Sequence, residues 1–546
     1  MKVTTSVRLL SALAAALLTG VSCVSVDENL GKDLIATDQM FDIHTVEIPL
    51  TGIRMEMADS LSGLSSKRIS LGAVRDARFG LTTRSCVLTL LPAFEDLDYG
   101  TDPVLQYMHF SAALDTVSVP TEADRYIIQN VRVYELAEPI DLAKARTNAT
   151  IAHKDTPITD GGVVYGGSDS LSFNFSRAFA ERYMTITAED TDTLPNFTKR
   201  FPGIYLEMEP PTGDGGRINL FNLGCLTYNS SYGTYLLNGN CVRLHFNAEY
   251  DGVRKDTSFV FIYGEPDFLD ENTYIENNQK FPQYAYNLTG HETRPQSGAA
   301  GADLFVEGGG GLKPVIDAQT LLDAAKAEIR QYGDPAKAVI SRAQISLPFE
   351  YDGDYTALGT FFPPVLSPTC RIITEGVGAS FAGLSDSSAS DEDQGSLHRD
   401  RLCYSPDVAH HLQQLLRMEE GTDMSNYDIW LLIMATETET TANTTDNSYY
   451  QNLAYYSYLN SLYNGYGYGY GGYGYGYSGY GYGGYNSYYN YYNYAMMAAM
   501  MSSSSTTTST STELDRDRYY SARLLGPDAA GGRVPTLTLT YAIPKE

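Results

Sequence analysis

The chain has 546 residues and a formal net charge of −28, because 66 Asp and Glu residues outnumber 38 Lys and Arg residues. This charge repels phosphate backbones and anionic headgroups, and no Lys/Arg run offers a local exception, so nucleic acid is excluded as an expected partner. A hydrophobic content of 43% excludes a wholly disordered chain and suffices for about two to four domains.

The first residues predict export from the cytoplasm. Lys2 and Arg8 form a basic start, and residues 9–18 form a short apolar run. A membrane-spanning helix needs roughly 20 apolar residues, whereas the core of a signal peptide needs about 7–15. We therefore interpret residues 1–22 as a signal peptide.

The end of this segment carries the best-defined chemical motif. Thr19-Gly20-Val21-Ser22-Cys23 resembles the lipobox of bacterial lipoproteins, in which the cysteine thiol is acylated and the cysteine becomes the first mature residue. The resemblance implies a lipid anchor at Cys23, which would hold the protein in the membrane. Because Gly20 stands where Leu is usual, the alternative is an ordinary signal peptide in which Cys23 is discarded or stays a thiol.

Two acidic residues follow the cysteine. Asp27 and Glu28 resemble the short signal that carries some lipoproteins to the outer face. We expect a protein anchored in the outer membrane, on its periplasmic or its cell-surface face. Residues 23–45 are interpreted as the lipidated tether.

Alternation of apolar and polar residues with a period of two dominates the rest of the chain, and this pattern predicts strands. The clearest runs are Ile204–Met208, Val242–Phe246, Ser258–Tyr263, Ala343–Phe349 and the run that starts at Thr536. Many strands with few helices favour sandwiches or jelly rolls. We predict a mostly β fold, with a first β-sandwich or jelly-roll-like domain over residues 46–300 and a second over residues 301–546.

Two stretches predict helices. The first runs from about Ala318 to Tyr332, where Asp317 can cap the start and Gly333 can end the helix. The second follows Ser405-Pro406, a capping residue and a proline at the first helical position, and places Val408, Leu412, Leu415 and Leu416 on one face.

Two low-complexity segments are predicted to be long loops of the second domain. Residues 376–400 are rich in Ser and acidic residues, and residues 447–512 are rich in Tyr, Gly and Ser. The second segment has no charged residue and contains 20 of the 43 tyrosines. Its glycines favour the unfolded chain and its tyrosines lack aliphatic partners, so it cannot pack a core.

The cysteines other than Cys23 have no zinc-site spacing. In an oxidising compartment Cys225 could pair with Cys241 across a hairpin turn, and Cys370 could pair with Cys403. The alternative is that these residues are buried thiols.

The chain contains no complete catalytic, cofactor or metal motif. Gly308–Lys313 has the glycines of a phosphate loop without its spacing, so a tight turn is expected. Gly378–Ala382 nearly copies a nucleophile elbow but enters Ser-rich sequence, so a solvated loop is expected. His410 and His411 are adjacent and cannot chelate one metal ion, and acidic turns explain Asp190/Asp192 and Asp352/Asp354.

Five segments carry a family resemblance: Leu71–Gly80, Gly308–Val315, Ala343–Pro348, Tyr404–Leu416 and Leu539–Tyr541. In this order they resemble the uncharacterised bacterial lipoproteins grouped as domain-of-unknown-function family four-two-seven-zero. The resemblance covers nearly all of the mature chain and implies no established activity.

Four Asp-Ser/Thr-aliphatic triplets resemble the periplasmic O-glycosylation sequon of some bacteria that make such lipoproteins. Their acceptor residues are Ser60, Thr116, Ser170 and Thr193. Triplets this short also occur by chance. At each of the four positions, O-glycosylation and an unmodified hydroxyl therefore both stay open.

Together these features predict a non-enzymatic envelope or surface lipoprotein without a cofactor, bound to the membrane through its lipid. It would bind a glycan or protein ligand through β-sandwich faces and the Tyr/Gly-rich loop, because tyrosine suits recognition surfaces. The alternatives are a glycan-capturing or carbohydrate-active accessory lipoprotein, supported by fold analogy alone, and a self-assembling structural subunit.

Overall fold

The structure is a computed structural model that describes residues 41–545, apart from several internal gaps. The gaps are residues 60, 66, 94–96, 119–126, 142–144, 230–233, 238, 264–284, 294–296, 375–377, 389–394 and 443–505. The predicted signal peptide, Cys23 and most of the predicted tether lie outside the described residues, as do Ser60 and most of the Tyr-rich segment.

The described chain is mostly β, as predicted, with several antiparallel sheets and few short helices. The strands of the N-terminal half are β1 (Phe41–Pro49), β2 (Ile53–Met57), β3 (Leu64–Ser65), β4 (Arg68–Asp76), β5 (Gly80–Leu88), β6 (Leu90–Pro92), β7 (Thr101–Ala113), β8 (Gln129–Leu136), β9 (His153–Pro157), β10 (Val163–Tyr165), β11 (Ser170–Asn174), β12 (Ile204–Met208), β13 (Gly215–Asn222), β14 (Leu226–Asn229), β15 (Thr234–Leu237), β16 (Cys241–Tyr250), β17 (Val253–Tyr263) and β18 (Ala285–Thr293). Those of the C-terminal half are β19 (Gly298–Ala299), β20 (Asp303–Glu307), β21 (Leu312–Ile316), β22 (Val339–Pro348), β23 (Val365–Thr374), β24 (Gly378–Gly383), β25 (Leu397–His398), β26 (Cys403–Tyr404), β27 (Ile429–Ala442), β28 (Thr506–Leu514), β29 (Ser521–Leu525) and β30 (Thr536–Pro544).

The helices of the described residues are short. They are α1 (Arg177–Tyr183), α2 (Ala188–Thr191), α3 (Leu194–Arg200), α4 (Ala318–Ile329), α5 (Leu358–Phe361) and α6 (Ala409–Arg417), with 3-10 turns at Thr116–Ser118, Pro335–Lys337, Ser385–Ser388 and Ser425–Tyr427. Within the described part of the chain, no helix combines the length and the apolar character that crossing a membrane requires.

The first hydrophobic core lies between two antiparallel sheets. A nine-stranded sheet follows the path β10-β8-β12-β5-β18-β3, with β4, β13 and β9 attached, and a five-stranded sheet has the order β11-β7-β16-β17-β6. Inward side chains of both sheets, such as Leu206 of β12 and Leu244 of β16, are fully buried in this core. The alternation that predicts strands therefore divides these side chains between core and solvent.

The second core is formed by the C-terminal half together with the first strands of the described chain. Strand β1 pairs with β30 from Phe41↔Pro544 to Pro49↔Thr536, and β2 pairs with β21. Leu50 and Ile53 are buried among residues of the C-terminal half. This corrects the predicted tether from Phe41 onwards and the assignment of residues 46–57 to the first domain, because strand pairing joins them to the other end of the chain. The division at residue 300 stays a prediction.

The strand predictions are confirmed where the alternation is strongest. The run from Ile204 to Met208 is β12, and the Thr536 run is β30, in which Leu537, Leu539 and Tyr541 are buried. The other three predicted runs lie in β16, β17 and β22, with Phe349 one residue beyond β22.

The first predicted helix is confirmed as α4. The Asp317 carboxylate accepts a hydrogen bond from the backbone N–H of Thr320 at 2.7 Å, which satisfies one of the donors at the helix start. The last turns run to Gly333, whose N–H donates to the carbonyl of Ile329 at 3.0 Å.

The second predicted helix exists, but its predicted start is wrong. Helix α6 begins at Ala409, because the chain before it runs along β22: the N–H of Ile345 donates to Pro406 and that of Val408 donates to Ala343, each at 2.9 Å. Ser405 does not cap the helix. Its first donors are satisfied by Asp407 and by Asp386, whose carboxylate accepts from the N–H of His411 at 3.0 Å.

The predicted loop over residues 376–400 is also corrected. Gly378–Gly383 is strand β24, paired with β23, and Ser385–Ser388 is a 3-10 turn. The Ser/Thr-rich end of the second low-complexity segment lies in β28, which pairs with β27 from Met434↔Leu514 to Ala442↔Thr506. Both corrections have one cause, since the backbone hydrogen bonds between paired strands do not require apolar side chains in the paired segment.

The structure contains neither predicted disulfide. Leu226 pairs with Leu237 in the β14–β15 hairpin, so Cys241 lies beyond the position opposite Cys225 and pairs with Ser111 of β7 instead. Cys370 lies in the sheet of β23 and Cys403 in the sheet of β26, which are different sheets.

Candidate functional site

The outward face of the five-stranded sheet β11-β7-β16-β17-β6 carries polar side chains. Along β16, Val242 and Leu244 are buried in the first core, and Phe246 is buried as well. Because side chains of a strand alternate between its two faces, Arg243 and His245 lie on the side away from that core.

Strand pairing brings five of these outward side chains together. Asn174, His109 and Arg243 lie directly opposite one another on β11, β7 and β16, and Tyr107 lies opposite His245 in the next row. Directly opposite residues place their Cβ atoms about 4.5–5.5 Å apart, so the five side chains form one patch. We call these five residues the polar face.

Two contacts organise the polar face. The rings of Tyr107 and His245 lie 4.4 Å apart between centroids at an interplanar angle of 30°. The His109 Nδ1 lies 2.8 Å from Asn174 Oδ1, where the imidazole N–H donates and the amide oxygen accepts. Tyr107 remains 44% exposed, so much of its ring is available to a ligand.

The charge of the polar face has one sign. Its basic side chains are those of Arg243, His109 and His245, none of its five residues is a carboxylic acid, and no carboxylate of the described residues forms a salt bridge with Arg243. Burial, followed by the charges of Arg243 and His109, lowers the pKa of His245. The imidazole of His245 is therefore neutral at pH 7 and can accept or donate a hydrogen bond.

Sequence reasoning placed Arg243 and His245 in a strand but did not identify the polar face. The outward positions Arg243, His245 and Asn247 of that strand were a usable signal. The partners Tyr107 and Asn174 become neighbours only through the pairing of β7 with β16 and β11.

A second candidate is a pocket of about 440 Å³ beside β23, β24 and α6. Its lining includes Cys370, Ile373, Asp386, His411 and Tyr427. The His411 Nε2 donates to the Tyr427 carbonyl at 2.9 Å, and the Cys370 thiol donates to the same carbonyl at 3.8 Å.

The thiol and the imidazole of this pocket are not an activated nucleophile and base. Burial, with a smaller effect of Asp428, raises the pKa of Cys370 to about 12, and burial lowers the pKa of His411. Both groups are therefore neutral at pH 7, whereas a nucleophilic cysteine needs a stabilised thiolate. Thus the pocket offers hydrogen bonds and apolar contact but no prepared thiolate.

The histidines and aspartates that the sequence offered as metal ligands occupy structural positions. His410 is exposed and His411 is buried, as expected from their adjacent positions. Asp354 caps a turn at Thr356, and Asp190 caps α2 and pairs with Arg200. No group of three or more potential metal ligands exists among the described residues.

Gly308–Gly311 forms the predicted tight turn between β20 and β21, and Lys313 lies in β21. The Lys313 ammonium is buried and donates to the carbonyls of Gly309 at 2.9 Å and Gly311 at 3.0 Å, and also to that of Glu307. These contacts use all three of its donors, so Lys313 has none left for a phosphate.

A network of buried charges joins the two halves of the described chain. The Arg68 guanidinium forms two parallel hydrogen bonds with Glu437, at 2.8 and 2.9 Å, and donates to Asp115 at 3.0 Å. Arg518 binds Glu437 at 2.7 Å. Burial raises the pKa of Glu437, but the bonds and charges of Arg68 and Arg518 outweigh it and bring that pKa to about 2. This network, here called the charged junction, is structural.

The described acceptors of the O-glycosylation triplets differ in access. Thr116 is exposed in a 3-10 turn, whereas Ser170 is half-buried at the start of β11. Thr193 is half-buried too, and its hydroxyl accepts from the N–H of Asn196 at 3.3 Å as the cap of α3. Of these three, Thr116 is the most exposed residue.

Comparison with known proteins adds no relative. No protein-family model matches the chain, and no curated protein is significantly similar to it.

Proposed function

We propose that the mature protein is a non-enzymatic, lipid-anchored envelope protein that binds a ligand through the polar face. The observation that carries the binding proposal is the arrangement of Tyr107, His109, Asn174, Arg243 and His245 in two adjacent rows of the sheet. An exposed aromatic ring beside several hydrogen-bonding groups resembles the composition of recognition surfaces, where tyrosine supplies contact area at low entropic cost.

The chemistry of the pocket beside β23, β24 and α6 supports the proposal that the protein is not an enzyme. Its thiol and imidazole both have pKa values shifted toward the neutral forms by burial, as described for Cys370 and His411. Nucleophilic catalysis by cysteine requires the opposite shift. The proposed membership of the uncharacterised lipoprotein family rests on the order of the five sequence segments given above.

Replacing Tyr107 with Ala is expected to abolish the binding of at least one ligand on an array of glycans, peptidoglycan fragments and envelope proteins. The substitution removes the exposed ring that would stack on the ligand. Tyr355→Ala is the matched control, because Tyr355 is 52% exposed and lies in a different part of the chain. Equal binding by the wild type and the Tyr107 variant to every array member would contradict the proposal.

Replacing Cys23 with Ala tests the anchor. We expect it to abolish labelling by a radioactive fatty acid and to move the protein from the membrane fraction to the soluble fraction, because two or more acyl chains are needed for stable anchoring. Cys370→Ala is the control and should keep both the label and the membrane association. A Cys23 variant that is still labelled and still sediments with membranes would overturn the anchor.

A further inference from the structure

Among the described residues, the guanidinium of Arg243 has no anionic partner, although the chain is strongly acidic. Acidic residues outnumber basic ones by 66 to 38, and other partly buried arginines such as Arg68 and Arg518 bind carboxylates. Among the described residues no carboxylate lies within salt-bridge distance of Arg243, whose side chain contacts the neutral thiol of Cys241. A half-buried cation gains from an anion more than an exposed one does, because water screens the pair less.

The neighbours of Arg243 increase its preference for an anion. Opposite it stand His109 on β7 and Val260 on β17, and neither carries a negative charge. The nearest acid among the outward residues of β17 is Asp256, opposite Asn247. Its carboxylate already accepts hydrogen bonds from Gln106 at 2.8 Å and Asn247 at 2.9 Å.

The polar face also offers groups that suit sugar hydroxyls. Asn174 uses its amide oxygen for His109, which leaves its NH₂ group as a donor, and the Nε2 atom of His109 is left for a further hydrogen bond. Ser258 lies opposite His245 and adds a hydroxyl. The exposed ring of Tyr107 can stack on the C–H face of a sugar ring in the next row.

An extended peptide fits this location less well. Peptides commonly bind sheets by adding a strand at an edge, where backbone groups are unpaired. Strand β11, which carries Asn174, lies at the edge of the sheet, but the other four residues of the polar face lie on β7 and β16, and each of these two strands is paired on both sides. Recognition must therefore use side chains on the flat face.

We infer that the polar face binds an anionic saccharide, with the sugar ring stacked on Tyr107 and its carboxylate or sulfate bound by Arg243. This inference rests on the proposed function and specifies its ligand class. The net charge of −28 opposes the approach of any anion, so recognition depends on these short-range contacts and not on long-range attraction.

The test compares charged and neutral sugars of one stereochemistry. Isothermal titration of the mature protein with trigalacturonate is expected to give at least about tenfold tighter binding than with galactotriose, because a hydrogen bond to a charged group contributes a factor of about 10–100. A sulfated galactotriose should also bind more tightly than the neutral sugar. A Glu-rich hexapeptide at the same charge should bind more weakly than trigalacturonate.

Three variants separate the contacts. Arg243→Gln should remove the preference for the charged sugars while it retains the binding of galactotriose, and Tyr107→Ala should weaken all three sugars. Arg78→Gln is the matched control, because Arg78 is exposed and lies outside the polar face. Circular dichroism of each variant checks that the fold is retained.

The outcomes also separate this inference from the proposed function. If Arg243→Gln leaves the preference for charge unchanged, if wild-type protein binds neither anionic sugar, or if the hexapeptide binds as tightly as trigalacturonate, the anionic-saccharide inference fails. If Tyr107→Ala still abolishes binding of a neutral array ligand in any of these cases, the proposed function stands. If the Tyr107 substitution changes the binding of no ligand, both fail.

Discussion

Replacing Arg68 with methionine is expected to lower the free energy of unfolding by about 3–5 kcal/mol, because removing one partner of a buried ion pair leaves uncompensated charge. The side chain of Arg68 is 9% exposed and contacts two carboxylates, Asp115 and Glu437, which are 9% and 13% exposed. Methionine retains most of the aliphatic stem, so the loss reports mainly on the guanidinium group and its bonds to the two carboxylates. At pH 7 Glu437, with a pKa of about 2, is ionised in the folded protein.

Urea unfolding at pH 7 measures this loss, and the fluorescence of Trp430 is a suitable signal. Trp430 is the only tryptophan, is 2% exposed, and lies on β27, the strand that carries Glu437. Arg132→Met is the control, because the Arg132–Glu209 pair is 46% and 39% exposed and should stabilise the fold far less, since water screens an exposed ion pair. Equal losses for both variants would show that the charged junction is no more stabilising than a surface pair.

Replacing Gly309 with alanine is expected to lower the free energy of unfolding by about 2–5 kcal/mol. Gly309 has a φ of +57°, a conformation that costs about 1–2 kcal/mol for other residues. A Cβ atom there would also overlap with the guanidinium of Arg84, which is 1% exposed and therefore has little room to move. Overpacking of this kind costs about 1–3 kcal/mol more.

Gly161→Ala separates the two effects. Gly161 has a φ of +84°, but a Cβ atom there meets nothing within 4 Å. We expect this control to lose only the conformational cost of about 1–2 kcal/mol. If urea unfolding gives the same loss for both glycine variants, then Arg84 yields easily and the turn is not tightly packed against it.

The sequence predicted the glycine-rich turn but not the contacts that require its glycines. Its spacing excluded a phosphate loop, and the turn itself is confirmed between β20 and β21. The reason for several consecutive glycines was not predictable, because it lies in distant residues. A Cβ at Gly308 would overlap with the carbonyl of Arg518, and one at Gly310 would overlap with Thr147.

The two predicted helices also differ in whether their caps are local in the sequence. Asp317 caps α4 because the cap and the helix are neighbours in the chain. Helix α6 was predicted with a local cap at Ser405, but Asp386 satisfies its first donors from a segment that was predicted to be a loop. A local pattern cannot reveal a cap supplied by another segment.

The candidate site was the least predictable feature. The alternation in β16 was visible and placed Arg243 and His245 on the side away from the core. The identity of their neighbours depends on the pairing of three strands that are far apart in the chain. The choice between disulfides and free thiols, which the sequence left open, also depends on distant parts of the chain, and in the structure Cys225, Cys241, Cys370 and Cys403 are free thiols.

The sequence by itself determined the mostly β class, the strongest strands and the capped helix α4, because period-two alternation and helix capping act between neighbouring residues. It also carries the motif on which the expected anchor at Cys23 rests. Only the tertiary structure decided which strands pair, that β1 completes the C-terminal half, and that Arg68 meets Glu437 across 369 residues of chain. Pairing and burial are properties of the whole folded chain, in which the apolar faces of distant strands must share a core.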